Sequence, residues 1–226
     1  MKKDEKKTVA QEFYEKHFRV AIFGSARIKP HDALYKNVTD LARAIASEGI
    51  DIITGGGPGL MEAANLGQKL SGNTDSHSIG LTIELPFEAQ GNRHLDVKQH
   101  FEKFSDRLDH FMALSNVVVV MPGGIGTCLE LFYSWQLTQV KHICNIPIIL
   151  HGQMWSELIQ WVRQFPLEKS LLSAHDLQNI FCTQKDEEAL KIIRDTFQMY
   201  QEKGESFCVN SKKYKLTPGK KPMSVS

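Results

Sequence analysis

Short apolar runs that break off at glycine alternate with amphipathic stretches along most of the chain. Val20-Ala21-Ile22-Phe23 stops at Gly24-Ser25, the pattern of a buried strand feeding a tight turn. Asp32 is then placed to cap a helix whose apolar positions Leu34, Val38, Leu41 and Ile45 share one face, and Gly49 ends it. Residues 50–54 predict a second buried strand, which runs straight into Gly55-Gly56-Gly57-Pro58-Gly59 and a helix over 60–70. A polar loop over 71–76 precedes a strand at 78–85. Residues 86–96 read as irregular, with a short strand around 95–99. A helix near 104–114 leads to four consecutive valines, 117–120, which suit a strand covered on both faces. Pro122-Gly123-Gly124-Ile125-Gly126-Thr127 follows, then a helix to about Lys141 and a strand at 146–150. Trp155, Leu158, Ile159 and Val162 mark another helix, 180–182 a last strand, and 186–201 a final helix with Leu190, Ile193 and Phe197 inward.

Strands alternating with helices predict an α/β protein: a Rossmann-like three-layer sandwich, its sheet mostly parallel, with helices on both faces. At 226 residues one large core is the expectation. Residues 1–18 read as a helical lead-in in which Phe13, His17 and Phe18 are apolar enough to pack. Residues 19–203 form the nucleotide-binding domain, and the basic, poorly patterned stretch 204–226 is expected to be a loose tail.

Charge and cysteine content narrow the class. A formal net charge of +1 gives no field that would gather nucleic acid or an anionic membrane, so any anion must be held by local geometry. No apolar run approaches a membrane span, and the charged start lacks the apolar stretch of a secretory signal; a cytoplasmic protein is expected. Cys128, Cys144, Cys182 and Cys208 form no C-x-x-C pair and are expected to be free thiols. The histidines show no metal-binding spacing such as H-E-x-x-H, so neither a metal nor a cofactor is expected.

Both glycine clusters fall where a strand hands over to a helix. In an open parallel sheet that is the edge where ligands bind. A helix start offers unpaired N–H groups and partial positive charge, and glycine lets a phosphate approach them. Neither cluster completes G-x-G-x-x-G, since Leu60 and Leu129 stand near the third-glycine positions, and no G-K-[ST] occurs. One phosphate therefore fits better than a pyrophosphate.

The stretches Gly55-Gly56-Gly57-Pro58-Gly59-Leu60-Met61-Glu62-Ala63-Ala64-Asn65 and Pro122-Gly123-Gly124-Ile125-Gly126-Thr127-Cys128-Leu129-Glu130 resemble the Lonely Guy family, whose motifs read GGGxGLM and PGGxGTxxE. The resemblance runs from about Val20 to Trp161 and includes Gly24-Ser25-Ala26-Arg27 and the segment ending at Glu88, which look like the longer bacterial members. It implies a Rossmann-like homodimer, or an assembly of dimers. The implied activity is hydrolysis of the N-glycosidic bond of a nucleoside 5′-monophosphate, AMP or a cytokinin riboside monophosphate, to free base and ribose 5-phosphate. It places the catalytic arginine at Arg107, fifteen residues before Pro122, and the catalytic glutamate at Glu130. Leu108 and Leu129 depart from the family's usual lysine and acidic residue. Chains of this kind also carry the label lysine decarboxylase, but no lysine stands beside the glycine turns to form the Schiff base that chemistry needs.

Cleaving a ribosyl C–N bond builds positive charge on the sugar, which a carboxylate stabilises directly or through an oriented water. Glu130 suits that task. Arg107 would clamp phosphate or order Glu130. Gly24, Gly56, Gly57, Gly59, Gly123, Gly124, Ile125 and Gly126 are the expected substrate-binding backbone. Ser25 and Thr127 offer hydroxyls to phosphate or ribose, or cap their helices, and Glu88 either touches substrate or is solvated. Asp106 is the only candidate for the acid that protonates the leaving base. The competing reading is a non-catalytic nucleotide sensor or cofactor carrier, because molybdenum-cofactor carriers share this fold type.

Overall fold

The computed structural model describes residues 17–83 and 91–213. Seven strands form one sheet: β1 (Arg19–Phe23), β2 (Asp51–Thr54), β3 (Ser78–Ile83), β4 (Val97–Phe101), β5 (Val117–Val120), β6 (Ile148–His151) and β7 (Ile180–Thr183). The order is β4-β3-β2-β1-β5-β6-β7 and every pairing is parallel. Helices α1 (Ala33–Ser47), α2 (Leu60–Ser71), α3 (Phe104–Leu114), α4 (Ile125–Gln139) and α5 (Gln153–Val162) lie in the connections between strands, and α6 (Asp186–Lys203) and α7 (Asn210–Lys213) follow β7. This is the Rossmann-like arrangement expected.

Alternation along the strands divides the core. Val20, Ile22, Ile52, Val117 and Val119 face α1, α2 and α6, whereas Ala21, Phe23, Ile53, Val118 and Val120 face α3, α4 and α5. The valine run of β5 is buried on both sides because each face is roofed by helices. The strand order reverses between β1 and β5, which pair from Val20↔Val117 to Phe23↔Val120. Connections diverge to opposite faces at such a point and leave a crevice beyond the strand ends.

Three expectations shift. The fourth strand lies at Val97–Phe101, not 95–99, because Leu95 is an apolar loop residue packed over Gly80. Cys144 and Cys208 are joined in a disulfide; Cys128 and Cys182 remain thiols. Residues 207–213, expected in the loose tail, are docked. Asn210 is 1% exposed, accepts from the Cys144 amide at 2.7 Å and donates to the Ser115 carbonyl at 3.0 Å, while Lys213 Nζ donates to the Ile143 carbonyl at 2.8 Å. Phe18 packs on α6 against Phe197 and Tyr200. The rest of the lead-in, including Phe13, and residues 214–226 lie outside the described residues.

At the starting edge of the sheet the first residue of β2, Asp51, is fully buried. Burial raises its carboxyl, but contacts from His17, His77 and Arg19 and the His77 amide outweigh that and hold it at about 2. Among the described residues no helix is long and apolar enough to cross a membrane.

Candidate active site

The turns after β1, β2 and β5 meet at the crevice. Backbone bonds tie them together: Ser25 N donates to the Pro122 carbonyl at 3.1 Å and Leu60 N to the Ser25 carbonyl at 2.9 Å. The second bond uses one of the donors at the start of α2. Gly59 has φ +69°, and a Cβ there would lie 2.4 Å from the Ser25 carbonyl oxygen, so both backbone sign and space require glycine. Gly24 is closed in by Leu60 and Met121, and the Ser25 hydroxyl accepts from Arg27 N at 3.1 Å.

The two main glycine turns do different work. Gly55, Gly56, Gly57 and Gly59 are all buried by protein atoms. Thr54 Oγ1 accepts from Gly56 N at 2.9 Å and donates to Asn65 Oδ1 at 2.7 Å. Asn92 Nδ2 donates to the carbonyls of Gly56 and Gly57 at 3.2 and 3.0 Å and to Asn65 Oδ1 at 2.9 Å. These bonds fix the Gly56 amide and the Gly56 and Gly57 carbonyls within the protein. The second turn is open. Gly124 and Gly126 have no atom within 4 Å of an added Cβ, and Ile125 is 86% exposed. The first N–H groups of α4 have no partner within their own helix. Thr127 is buried with its hydroxyl folded against Gly123.

Arg107 and Glu130 come together between the turns. Arg107 sits on α3 with its side chain 10% exposed, and its Nη2 lies 3.6 Å from Oε1 of Glu130 on α4, itself 13% exposed. Arg107 Nε donates to the Leu81 carbonyl of β3 at 2.7 Å, and the guanidinium lies over the Phe111 ring, 5.4 Å from its centroid. Phe111 is set by Phe23 of β1, centroids 4.9 Å apart. A Cβ on Gly55 would fall 2.2 Å from Arg107 Nη2, so the guanidinium occupies the room that this glycine leaves. The first glycine turn therefore houses the arginine. This geometry sets the guanidinium beside Glu130.

The remaining candidates divide. Asp106 is exposed and accepts from the Ser105 hydroxyl at 3.3 Å. Glu88 lies outside the described residues. Leu108 is buried, whereas Leu129 is 45% exposed beside Glu130. Sequence reasoning missed Asn92, which pins the first turn from 35 residues away in sequence, and Tyr133, whose hydroxyl donates to Asp109 and ties α4 to α3. One turn beyond Arg107, burial lowers His110 below the usual imidazole range against the opposing bond to the Asp106 carbonyl and the charges of Asp109 and Asp106.

Fold and crevice define a doubly wound α/β protein with an open helix start and a buried arginine–carboxylate pair at its switch point. A family model described as possible lysine decarboxylase matches residues 60–193, and the chain belongs to that family, the Lonely Guy-like group its motifs resemble. The pyrimidine/purine nucleotide 5′-monophosphate nucleosidase of Escherichia coli K12 is 30% identical over 122 residues, 50% of this chain; the same figures hold for its counterpart in strain O157:H7. The matched part is 26% of those relatives' length, so the chain spans about a quarter of them. Among solved structures, TM1055, a structural-genomics target, is similar with TM-score 0.62 and 24% identity, covering 79% of this chain and 99% of the other. The molybdenum cofactor carrier protein of Chlamydomonas reinhardtii is similar with TM-score 0.61 and 19% identity, covering 81% and 99%. The likeness to these two structures is one of fold.

Proposed function

We propose that the chain hydrolyses the N-glycosidic bond of a nucleoside 5′-monophosphate, releasing free base and ribose 5-phosphate. The observation that carries this reading is the Arg107–Glu130 pair, 3.6 Å apart and largely buried, beside the open start of α4. The named activity of the Escherichia coli relatives supports it. Phosphate sits on the first N–H groups of α4, where the helix dipole favours an anion. Glu130 lies five residues further on, roughly 7–8 Å along the axis, which suits the distance from a 5′-phosphate to its ribose ring. As the C–N bond breaks, its electron pair leaves with the base, which takes up a proton, and water adds to C1′. The Glu130 carboxylate faces the positive charge that develops on the sugar and orients the water. Arg107 holds that carboxylate in place. A purine-type substrate, AMP or a cytokinin riboside monophosphate, is the first expectation.

The test is chromatographic detection of free base from a panel of nucleoside 5′-monophosphates, with wild type and Glu130→Gln, each checked for folding by circular dichroism. Wild type is expected to act on a monophosphate and not on the parent nucleoside, and Glu130→Gln to be slower by about a hundredfold or more. A wild-type protein that binds a monophosphate yet releases nothing across the panel refutes hydrolysis and leaves a sensor or carrier.

A further inference from the structure

No short-range spacing of histidines marks a metal site, yet parallel pairing brings distant residues together where β1, β2 and β3 begin. His17 precedes β1, Asp51 opens β2, and His77 precedes β3. Arg19 pairs with Asp51 and Ile52 with Ser78, so the three starts are level. This is the sheet edge opposite the glycine turns. His17 Nδ1 lies 3.4 Å from Asp51 Oδ2 and His77 Nδ1 lies 3.4 Å from Asp51 Oδ1. One ligand atom from each of the three residues falls within 4.8 Å of the others.

We propose that His17, Asp51 and His77 bind a divalent first-row transition cation, zinc by ligand type, which fastens the chain entering β1 to the starts of β2 and β3. Two imidazole nitrogens and a carboxylate are a ligand set for zinc. Contacts of 3.4 Å are longer than good N–H···O bonds. Each falls within the roughly 3.3–3.5 Å that separates two ligands of one ion bound at about 2.0–2.2 Å, and because they reach different oxygens of Asp51 the carboxylate would hold the ion through both. The carboxylate is backed as a ligating carboxylate requires: the His77 amide donates to Asp51 Oδ1 at 2.8 Å, and Arg19 Nε lies 3.5 Å from Oδ2. The imidazole side chains are 26% and 23% exposed, while His77 Nδ1 and Asp51 Oδ2 are themselves buried, so an ion would sit beneath the rings. The Arg19 charge works against a second cation, so the affinity is below that of a site without it. The inference is independent of the nucleosidase reading.

The experiment uses the full chain without a histidine tag, stripped with chelator and titrated with Co²⁺ as a spectroscopic probe. One equivalent is expected to give the visible absorption of a tetrahedral N/O site, Zn²⁺ to abolish it by competition, and Zn²⁺ to raise the melting temperature. His77→Ala and His17→Ala are each expected to weaken binding by about a hundredfold or more, since even outer-partner losses reach that size, and to lose the zinc-dependent shift in melting. Should His77→Ala fail to fold in the stripped state, His17→Ala, which lies outside the strands, decides. Absence of a saturable band in wild type overturns the site and leaves the imidazoles as partners of Asp51 alone. A band and melting shift that survive both substitutions overturn it as well, because the ion is then bound elsewhere.

Discussion

Gly55→Ala tests the claim that the first glycine turn exists to house Arg107. In most turns a glycine-to-alanine change at a compatible backbone stabilises by about 0.4–1 kcal/mol, through reduced freedom of the unfolded chain. Gly55 is not among the positive-φ glycines, so its backbone accepts alanine. The new methyl would lie 2.2 Å from Arg107 Nη2 and 2.7 Å from Met61 Sδ. Met61 has rotamers to escape; Arg107 does not, being held by the 2.7 Å bond from Nε to the Leu81 carbonyl. Reaching ordinary contact moves Nη2 by more than about 1 Å, away from its 3.6 Å position against Glu130. Disturbing a charge-assisted bond costs about 1.5–3 kcal/mol, and a buried carbonyl left unmet about 1–3. Partial relaxation puts the net loss near 2–4 kcal/mol, opposite in sign to the usual effect. Urea denaturation of wild type, Gly55→Ala, Arg107→Ala and the double variant measures it. Once Arg107 is gone the methyl has room, so the double variant should be no less stable than Arg107→Ala and the single losses should not add. Base release should fall in Gly55→Ala as it is expected to in Arg107→Ala. A stabilised Gly55→Ala, or additive losses, refutes the housing role.

Asn92→Ala removes three hydrogen bonds to the first turn and its asparagine; with the Gly56 and Gly57 carbonyls losing a donor, about 1–3 kcal/mol of stability should go. Because the residue acts through the turn, Asn92→Asp, which cannot donate from its side chain but still accepts from the His94 amide, should lose most of the same stability in urea melts. Burial holds His110 below its ordinary 6.5, so the unfolded chain takes up the proton first as pH falls. The stability tied to its neutral form is complete above about 6.5 and is lost below it; His110→Gln should flatten the slope of unfolding free energy between pH 7.5 and 5.5, and an unchanged slope would remove His110 as its source. The Cys144–Cys208 bridge closes a separation of 64 residues, for which chain entropy gives about 4 kcal/mol as an upper figure. Thiol titration of the denatured, unreduced protein should find two of the four cysteines, and four would disprove the bridge.

Much of the fold was legible because strand and helix periods agree with the core they build. The valine run of β5 and the spacing of Leu34, Val38, Leu41 and Ile45 have one consistent reading each. Leu95 misled because an apolar residue beside a strand looks like part of it, and only the space above Gly80 shows why it is apolar. Residues 207–213 carry no period at all: a disulfide and the two-sided amide of Asn210 hold them, and isolated polar residues leave no pattern. His17, Asp51 and His77 were illegible for a related reason, since strand register and not local spacing brings them together. Glycine clusters are ambiguous in principle. A turn that admits a ligand and a turn that admits a neighbouring side chain need the same residue, and a sequence does not say which atom takes the vacated space.

That ambiguity bears on how an anion is held here. Arg107 is the natural phosphate ligand when the motifs are read alone, but its charge is already answered by Glu130 and its Nε by Leu81. A buried pair of this kind is close to neutral seen from the crevice, and separating it would leave one charge without its partner, a loss of about 3–5 kcal/mol. On the proposed reading, the attraction for a phosphate would then come mainly from the start of α4, where Gly124 and Gly126 have open space beside them. This divides the labour by position. On the proposed reading, the helix start would bind the end of the substrate that does not react, and the paired carboxylate, held by an arginine that the first turn makes room for, would meet the sugar, where charge appears only as the bond breaks.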